Sequence, residues 1–185
     1  LRKAGNSDLL ADEFARGAKD AGNSVEKISL HGKNLGFCQG CLACQKTGRC
    51  VIQDDANEIA QKMHDADVLV FATPIYYYEM SGQMKTMLDR ANPLYGSDYQ
   101  FREVYLLTCA AEQEESAPRR AIEGLQGWID CFEKAQLSGT VFAGGVNNAG
   151  EIKGHSALKT AYNMGCSIGY GGILFATAVI NTRVG

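Results

Sequence analysis

DVLVFATPIYYYEMSGQMKTMLDR, residues 67–90, reads as a buried strand, a short loop and an amphipathic helix in immediate succession. Val68, Leu69, Val70 and Phe71 form the unbroken apolar run of a parallel strand covered on both faces. Pro74 has no amide to give to a ladder and is expected to end that strand. Ser81 is placed to cap the following helix, in which Met84, Met87 and Leu88 share one face while Lys85 and Asp89 point elsewhere. Between strand and helix stand three consecutive tyrosines, Tyr76 to Tyr78, beside Gly82. A loop at the carboxyl end of a parallel strand is where open α/β sheets bind ligands, and aromatic side chains there suit a flat heterocycle. Simple packing of the tyrosines over the sheet is the alternative reading.

Beyond this stretch, apolar runs alternate with helical patterns along the whole chain, the signature of a doubly wound α/β sheet in one domain, residues 1–185. The periodicity predicts helices over Ser7–Ala21, about Ala56–Asp65, Ser81–Arg90 and Pro118–Lys134, with a shorter one after His155. Strands are predicted over Val25–Leu30, Val68–Thr73, Val104–Cys109, Thr140–Ala143 and, after the glycine-rich spacer at 169–172, Ile173–Ile180. At 185 residues with a formal charge of −3, the chain is large enough for a substantial core. Its lysines and arginines are scattered, so neither a nucleic acid nor an anionic membrane is expected as partner. With no long apolar run and a polar amino end, a soluble, cytoplasmic protein without a signal peptide is expected. The seven cysteines then read as reduced thiols or metal ligands in preference to disulfides.

Two further stretches carry chemistry. LRKAGNSD, residues 1–8, joins a basic, glycine-containing loop to a helix start, which is half of a phosphate cradle. Cys38, Cys41, Cys44 and Cys50 give C-x2-C-x2-C-x5-C, close to the ferredoxin-type run in which thiolates ligate iron. Gly36, Gly40 and Gly48 allow the tight wrapping that a compact centre needs. Zinc, and free or redox-active thiols, stay open beside an iron-sulfur cluster. Cys109, Cys131 and Cys166 fall in segments expected to be core. His31, His64 and His155 have no spacing that suggests a metal site or triad, Asp54 and Asp55 are explained as helix caps, Glu112, Glu114 and Glu115 as a solvated loop, and Trp128 as core.

Taken together, LRKAGNS, CQGCLACQKTGRC with VIQDD, TPIYYYEMSGQMKTMLDR, and FAGGVNNAGEIKGH (residues 142–155) resemble the flavodoxin-like NAD(P)H-dependent FMN reductases, particularly the branch of iron-sulfur flavoproteins. The likeness covers roughly Leu1 to Ile168. It implies a five-stranded parallel sheet in the order 2-1-3-4-5 with FMN at its carboxyl edge. On that resemblance Arg2, Lys3, Gly5, Asn6 and Ser7 surround the phosphate, Pro74, Ile75, Tyr76 and Tyr77 border the isoalloxazine, and Thr108, Cys109 and Ala110 close its other side. It further implies NAD(P)H as co-substrate, a small-molecule electron acceptor and a homodimer; for Cys38, Cys41, Cys44 and Cys50 it is consistent with a [4Fe-4S] cluster and equally with free or redox-active thiols, since relatives without a cluster show similar cysteines.

One departure stands out. Members of that family place a strand ahead of the phosphate loop, and the apolar tail Ile173–Ile180 has the composition to supply it. A circular permutation, with Gly185 near Leu1, is therefore expected, an appended tail being the alternative. The expected activity is transfer of electrons from NAD(P)H through FMN to a flavin, quinone, nitro or azo compound or iron-sulfur centre. The competing classes are a non-enzymatic electron carrier or redox-responsive module, and an engineered permuted scaffold.

Overall fold

The computed structural model describes residues 5–169 and 173–178. Helix α1 (Asn6–Asp20) leads to β1 (Ser24–Ser29), and a long loop carrying the short α2 (Cys44–Thr47) leads to α3 (Asp55–Asp65). Then follow β2 (Val68–Tyr76), the two-residue β3 (Glu79–Met80), α4 (Gly82–Arg90), β4 (Glu103–Cys109), α5 (Arg119–Ile129), β5 (Gln136–Ala143), α6 (Ser156–Cys166) and β6 (Ile173–Ala178). The main ladder runs β1-β6-β2-β4-β5 with every pairing along it parallel, and β3 pairs antiparallel with β2 off that path.

Two cores sandwich the sheet. Leu10, Phe14 and Ala18 of α1 recur every fourth residue and, with Ala157 and Ala161 of α6, cover Val68, Val70 and Leu107. On the other face Ile59 and Met63 of α3, Met84 and Met87 of α4, and Leu125 and Ile129 of α5 cover Leu69, Phe71 and Leu106. Alternate residues of β2 thus serve opposite cores, which is why the whole run is apolar. Helices α1 and α6 touch backbone to backbone. A Cβ on Gly165 would stand 2.1 Å from the Phe14 carbonyl oxygen, so only glycine permits this approach.

The structure corrects several expectations. Pro74 does not end β2: it stays in register with Cys109 of β4. The tyrosine segment is not a simple loop but the tip of a hairpin, in which Ile75 and Tyr76 pair with Met80 and Glu79. Tyr77 and Tyr78 form its two-residue turn with φ of 51° and 66°. Such turns normally use Asn-Gly, and a non-glycine residue in this region carries strain of roughly 1–3 kcal/mol. Helix α5 ends at Ile129, short of Lys134, and Trp128 packs at the margin of the core against Phe71 and Phe132. Cys131 and Cys166 are exposed; Cys109 alone of the three is buried. Residues 179–180 of the expected last strand, and both Leu1 and Gly185, lie outside the described residues. No helix among the described residues is long and apolar enough to cross a membrane.

Candidate functional site

At the carboxyl ends of β2 and β4, the start of α1 and the loop after β5 enclose a cavity of about 220 Å³. Its walls are Gly5, Asn6 and Ser7 from α1, Pro74, Ile75 and Tyr76 from β2, and Cys109, Ala110 and Ala111 after β4. Main-chain bonds fix this geometry. Ala110 N donates to Ala143 O at 3.0 Å and Val146 N donates to Ala110 O at 2.9 Å, joining the ends of β4 and β5. Asn6 clamps the helix start to the last loop, its Nδ2 donating to Asn148 O at 3.0 Å and its Oδ1 accepting from Ile152 N at 3.3 Å. Glu151 shapes that loop by accepting from the amides of Asn147 and Asn148, each at 2.7 Å. The first-turn amides of α1 and the positive end of its dipole therefore meet the cavity at a fixed place.

The ionisable groups of the wall are held quiet. Burial pushes the Cys109 thiol up to about 12, with the Ser7 hydroxyl pulling the other way, so the sulfur is uncharged at neutral pH. Burial also raises Asp8, against the hydrogen bond and charge of Lys27, whose Nζ lies 2.6 Å from its carboxylate. Lys27 also contacts Asp12. A wall of main chain, small side chains and a neutral thiol suits a group that brings its own chemistry.

Of the residues singled out in the sequence, the structure gathers Gly5, Asn6, Ser7, Pro74, Ile75, Tyr76, Cys109 and Ala110 around this cavity. Tyr77 does not line it; the hairpin turn carries its side chain outward, 96% exposed. Thr108 does not line it either: it is buried in the sheet, where its hydroxyl donates to Val141 O at 3.2 Å. Arg2 and Lys3 lie outside the described residues. Asp8, Ala111, Val146, Asn147 and Ala149 complete the wall. The last three belong to the FAGGVNNAGEIKGH stretch, whose asparagines and glycines were the available signal.

The four cysteines of the run line a second, much smaller cavity of about 20 Å³, together with Arg90 and Asn92. Cys38 and Cys41 are exposed, Cys50 half-buried and Cys44 buried. Among the described residues no three cysteines, histidines or carboxylates converge as metal ligands, so the side chains shown are closer to a closed loop than to a formed ligand shell. The donor set itself is chemically suited to a thiolate-bound centre: four sulfurs around one cavity, with Asn92 Nδ2 donating to Cys44 Sγ at 3.0 Å.

That loop is fastened by Arg90 and Asp54, an ion pair missed in the sequence because capping accounted for Asp54 there. Asp54 does cap α3, accepting from Ala56 N at 3.1 Å. It also receives two hydrogen bonds from the buried Arg90 guanidinium, at 2.6 and 2.8 Å, and one from Gly36 N at 2.8 Å. Burial pushes the Asp54 carboxyl up, but these bonds outweigh it and hold the group below its ordinary range. A larger groove of about 720 Å³ beside α3 is lined by Asp55, Glu58, His64 and Asp98. These side chains pair with Lys33, Lys62 and one another.

A family model described as NADPH-dependent FMN reductase matches residues 1–149. The chain belongs to that family. An iron-sulfur flavoprotein of Archaeoglobus fulgidus is 36% identical over 92 residues, which is 50% of this chain and 42% of that protein. An iron-sulfur flavoprotein of Methanosarcina thermophila is 23% identical over 164 residues, covering 88% of this chain and 83% of its own length. The chain matches less than half the length of the first of these relatives. An NAD(P)H:quinone oxidoreductase from Methanothermobacter marburgensis superposes with a TM-score of 0.64 at 17% identity, covering 87% of this chain and 90% of that chain, which shows a shared α/β flavodoxin-like fold.

Proposed function

We propose that this domain binds FMN in the cavity at the start of α1 and passes electrons from NADH or NADPH to a small acceptor of the flavin, quinone, nitro or azo class. The observation that carries the reading is the meeting of a helix start, two strand ends and an aromatic side chain around one cavity walled mainly by backbone and small residues. Gly5, Asn6 and Ser7 would hold the phosphate, with Arg2 and Lys3 as the proposed cationic partners. Pro74, Ile75 and Tyr76 would border the ring on one side, Cys109 and Ala110 on the other. The flavin, when bound, supplies the hydride-accepting chemistry. The chain supplies position, a water-poor wall and a neutral thiol that places no negative charge beside the ring. The membership just described and the single helix start, which suits a monophosphate, support FMN over FAD.

The same reading extends in three directions. The pairing of β6 between β1 and β2 supports a sheet of order 2-1-3-4-5 whose central strand comes last in the chain. The four-cysteine loop is proposed as the seat of an iron-sulfur centre, supported by its donor set. Exposed Phe37, Leu42, Val51 and Tyr95 support a homodimer, testable by sedimentation equilibrium. The deciding experiment for the main reading is reconstitution with FMN followed by anaerobic addition of NADH or NADPH. A perturbed flavin spectrum, tighter binding of FMN than FAD, and bleaching with turnover on adding a quinone are expected. Equal affinity for FAD, or no binding of FMN, would refute the site, and reduction without turnover would favour an electron carrier.

A further inference from the structure

We propose that Arg90 is the hydrogen-bond donor to the sulfur of Cys50 in a thiolate-bound metal centre formed by the four-cysteine loop, acting as a positioning residue through its Nε. The proposal rests on the reading of that loop as an iron-sulfur seat.

Arg90 is the largest fully buried side chain of the molecule as described, and its guanidinium has no exposed surface. Burying a guanidinium is expensive unless its N–H groups find acceptors. Nη1 donates to Asp54 Oδ2 at 2.6 Å and to Gly36 O at 2.7 Å. Nη2 donates to Asp54 Oδ1 at 2.8 Å and to Ile52 O at 3.1 Å. Nε donates to nothing, and among the described residues it is the only buried side-chain nitrogen or oxygen without a partner. Native structures rarely leave a buried donor idle.

The idle donor belongs to a side chain that lines the same cavity as Cys38, Cys41, Cys44 and Cys50. The Asp54 hydrogen bond first, and the Cys50 thiol after it, favour the charged guanidinium. Asn92 already gives an N–H to Cys44 in that cavity, so a second such bond would extend a pattern that the structure contains. Asp54 balances the charge of Arg90, so what the guanidinium offers the sulfur is a directed N–H more than a net positive charge. Donors of this kind orient ligands and raise the reduction potential of a thiolate-held cluster. Lysine cannot substitute. It keeps the charge but has neither the planar fork that grips Asp54 nor an Nε.

The first test uses the wild-type protein, loaded anaerobically with spin-active cadmium in place of iron and carrying nitrogen-labelled arginine. Arg90 Nε–H is expected to move downfield on loading and to show a scalar coupling to the metal through the sulfur. A loaded protein whose Nε–H stays put, uncoupled, overturns the assignment while leaving the metal seat standing. Failure of the wild type to retain cadmium, and equally iron with sulfide, overturns both. The second test compares midpoint potentials of reconstituted wild type and Arg90→Lys, the variant being expected at a more negative potential with its FMN binding intact. Equal potentials in two folded, iron-loaded proteins overturn the proposal. If Arg90→Lys does not fold, the cadmium experiment decides alone.

Discussion

The cavity at the start of α1 and the cysteine loop are held in opposite ways. The first is walled largely by backbone, small side chains and strand ends, with amide-to-carbonyl bonds tying β4, β5 and the last loop together. The second is fastened by side chains: the Arg90–Asp54 pair, from which two carbonyls and one amide of the loop hang, and Asn57, which accepts from Cys50 N and donates to Ile52 O. A wall of backbone tolerates change at most of its side chains, because the sheet that makes it is stabilised elsewhere. A loop fastened by side chains, with a buried charge pair among them, has less reserve. Each site should therefore fail at a different kind of contact.

The largest effect should come from removing the support common to both. Deleting everything after Ile168 takes away β6, which pairs with β1 on one side and β2 on the other. The loss should exceed the ~5–15 kcal/mol that holds a typical domain together, and the truncated chain should show no cooperative melt. A shortened protein that melts cooperatively and binds FMN would refute the role given to the last strand.

Next in size is Arg90→Met, which leaves a buried Asp54 carboxylate unpaired and should cost about 3–5 kcal/mol in urea unfolding. The pH dependence follows from Asp54, whose carboxyl is held below its ordinary value. A depressed acid stabilises the fold above its unfolded value of about 3.9, and that contribution disappears as pH falls through the lower folded value. The wild type should therefore lose stability on acidification below about pH 4 more steeply than Arg90→Met does. Parallel acid limbs would mean that the pair is not what holds the loop.

Tyr76→Ala probes the other site. It should weaken FMN binding by roughly 1–3 kcal/mol, the range for an aromatic side chain stacked on a base-like ring, with little change in melting temperature. Unchanged affinity would place Tyr76 outside the site, and a collapse of stability would mean that the cavity leans on side chains after all.

The smallest effect concerns His64, in the groove beside the loop. Burial alone would depress it, but hydrogen bonds with Asp65 at 2.7 Å and Asp98 at 3.0 Å outweigh that and raise it above 6.5. Its contribution to stability has the opposite sense to that of Asp54: fully present below about pH 6.5 and lost as pH rises through the raised value. Both carboxylates are largely solvent-exposed, so the stability change should be slight and the shift best seen by NMR titration of the ring. A midpoint at or below 6.5 would contradict the pairing.

How much of this was legible in the sequence depends on the range of the interaction that decides it. Strand β2 and helices α1, α3 and α4 were legible because apolar periodicity is a local signal. The hairpin at Ile75–Met80 was not, because Tyr-Tyr lacks the Asn-Gly that advertises such a turn. Thr108 was placed in the site beside Cys109, yet its hydroxyl is buried in the sheet on Val141 O, a bond that only the pairing of β4 with β5 reveals. The Arg90–Asp54 pair left no local trace, since both residues had sufficient local explanations, as the end of one helix and the cap of another.

The guanidinium of Arg90 grips the carbonyls of Gly36 and Ile52, and these two residues bracket all four thiols of the run. Closing that segment into a ring is an entropic cost met on folding, before any ligand arrives. The four sulfurs are thereby confined to a small volume at high effective concentration, as if on one chelating molecule. An oxidant would therefore find partners for a disulfide within the ring sooner than between molecules.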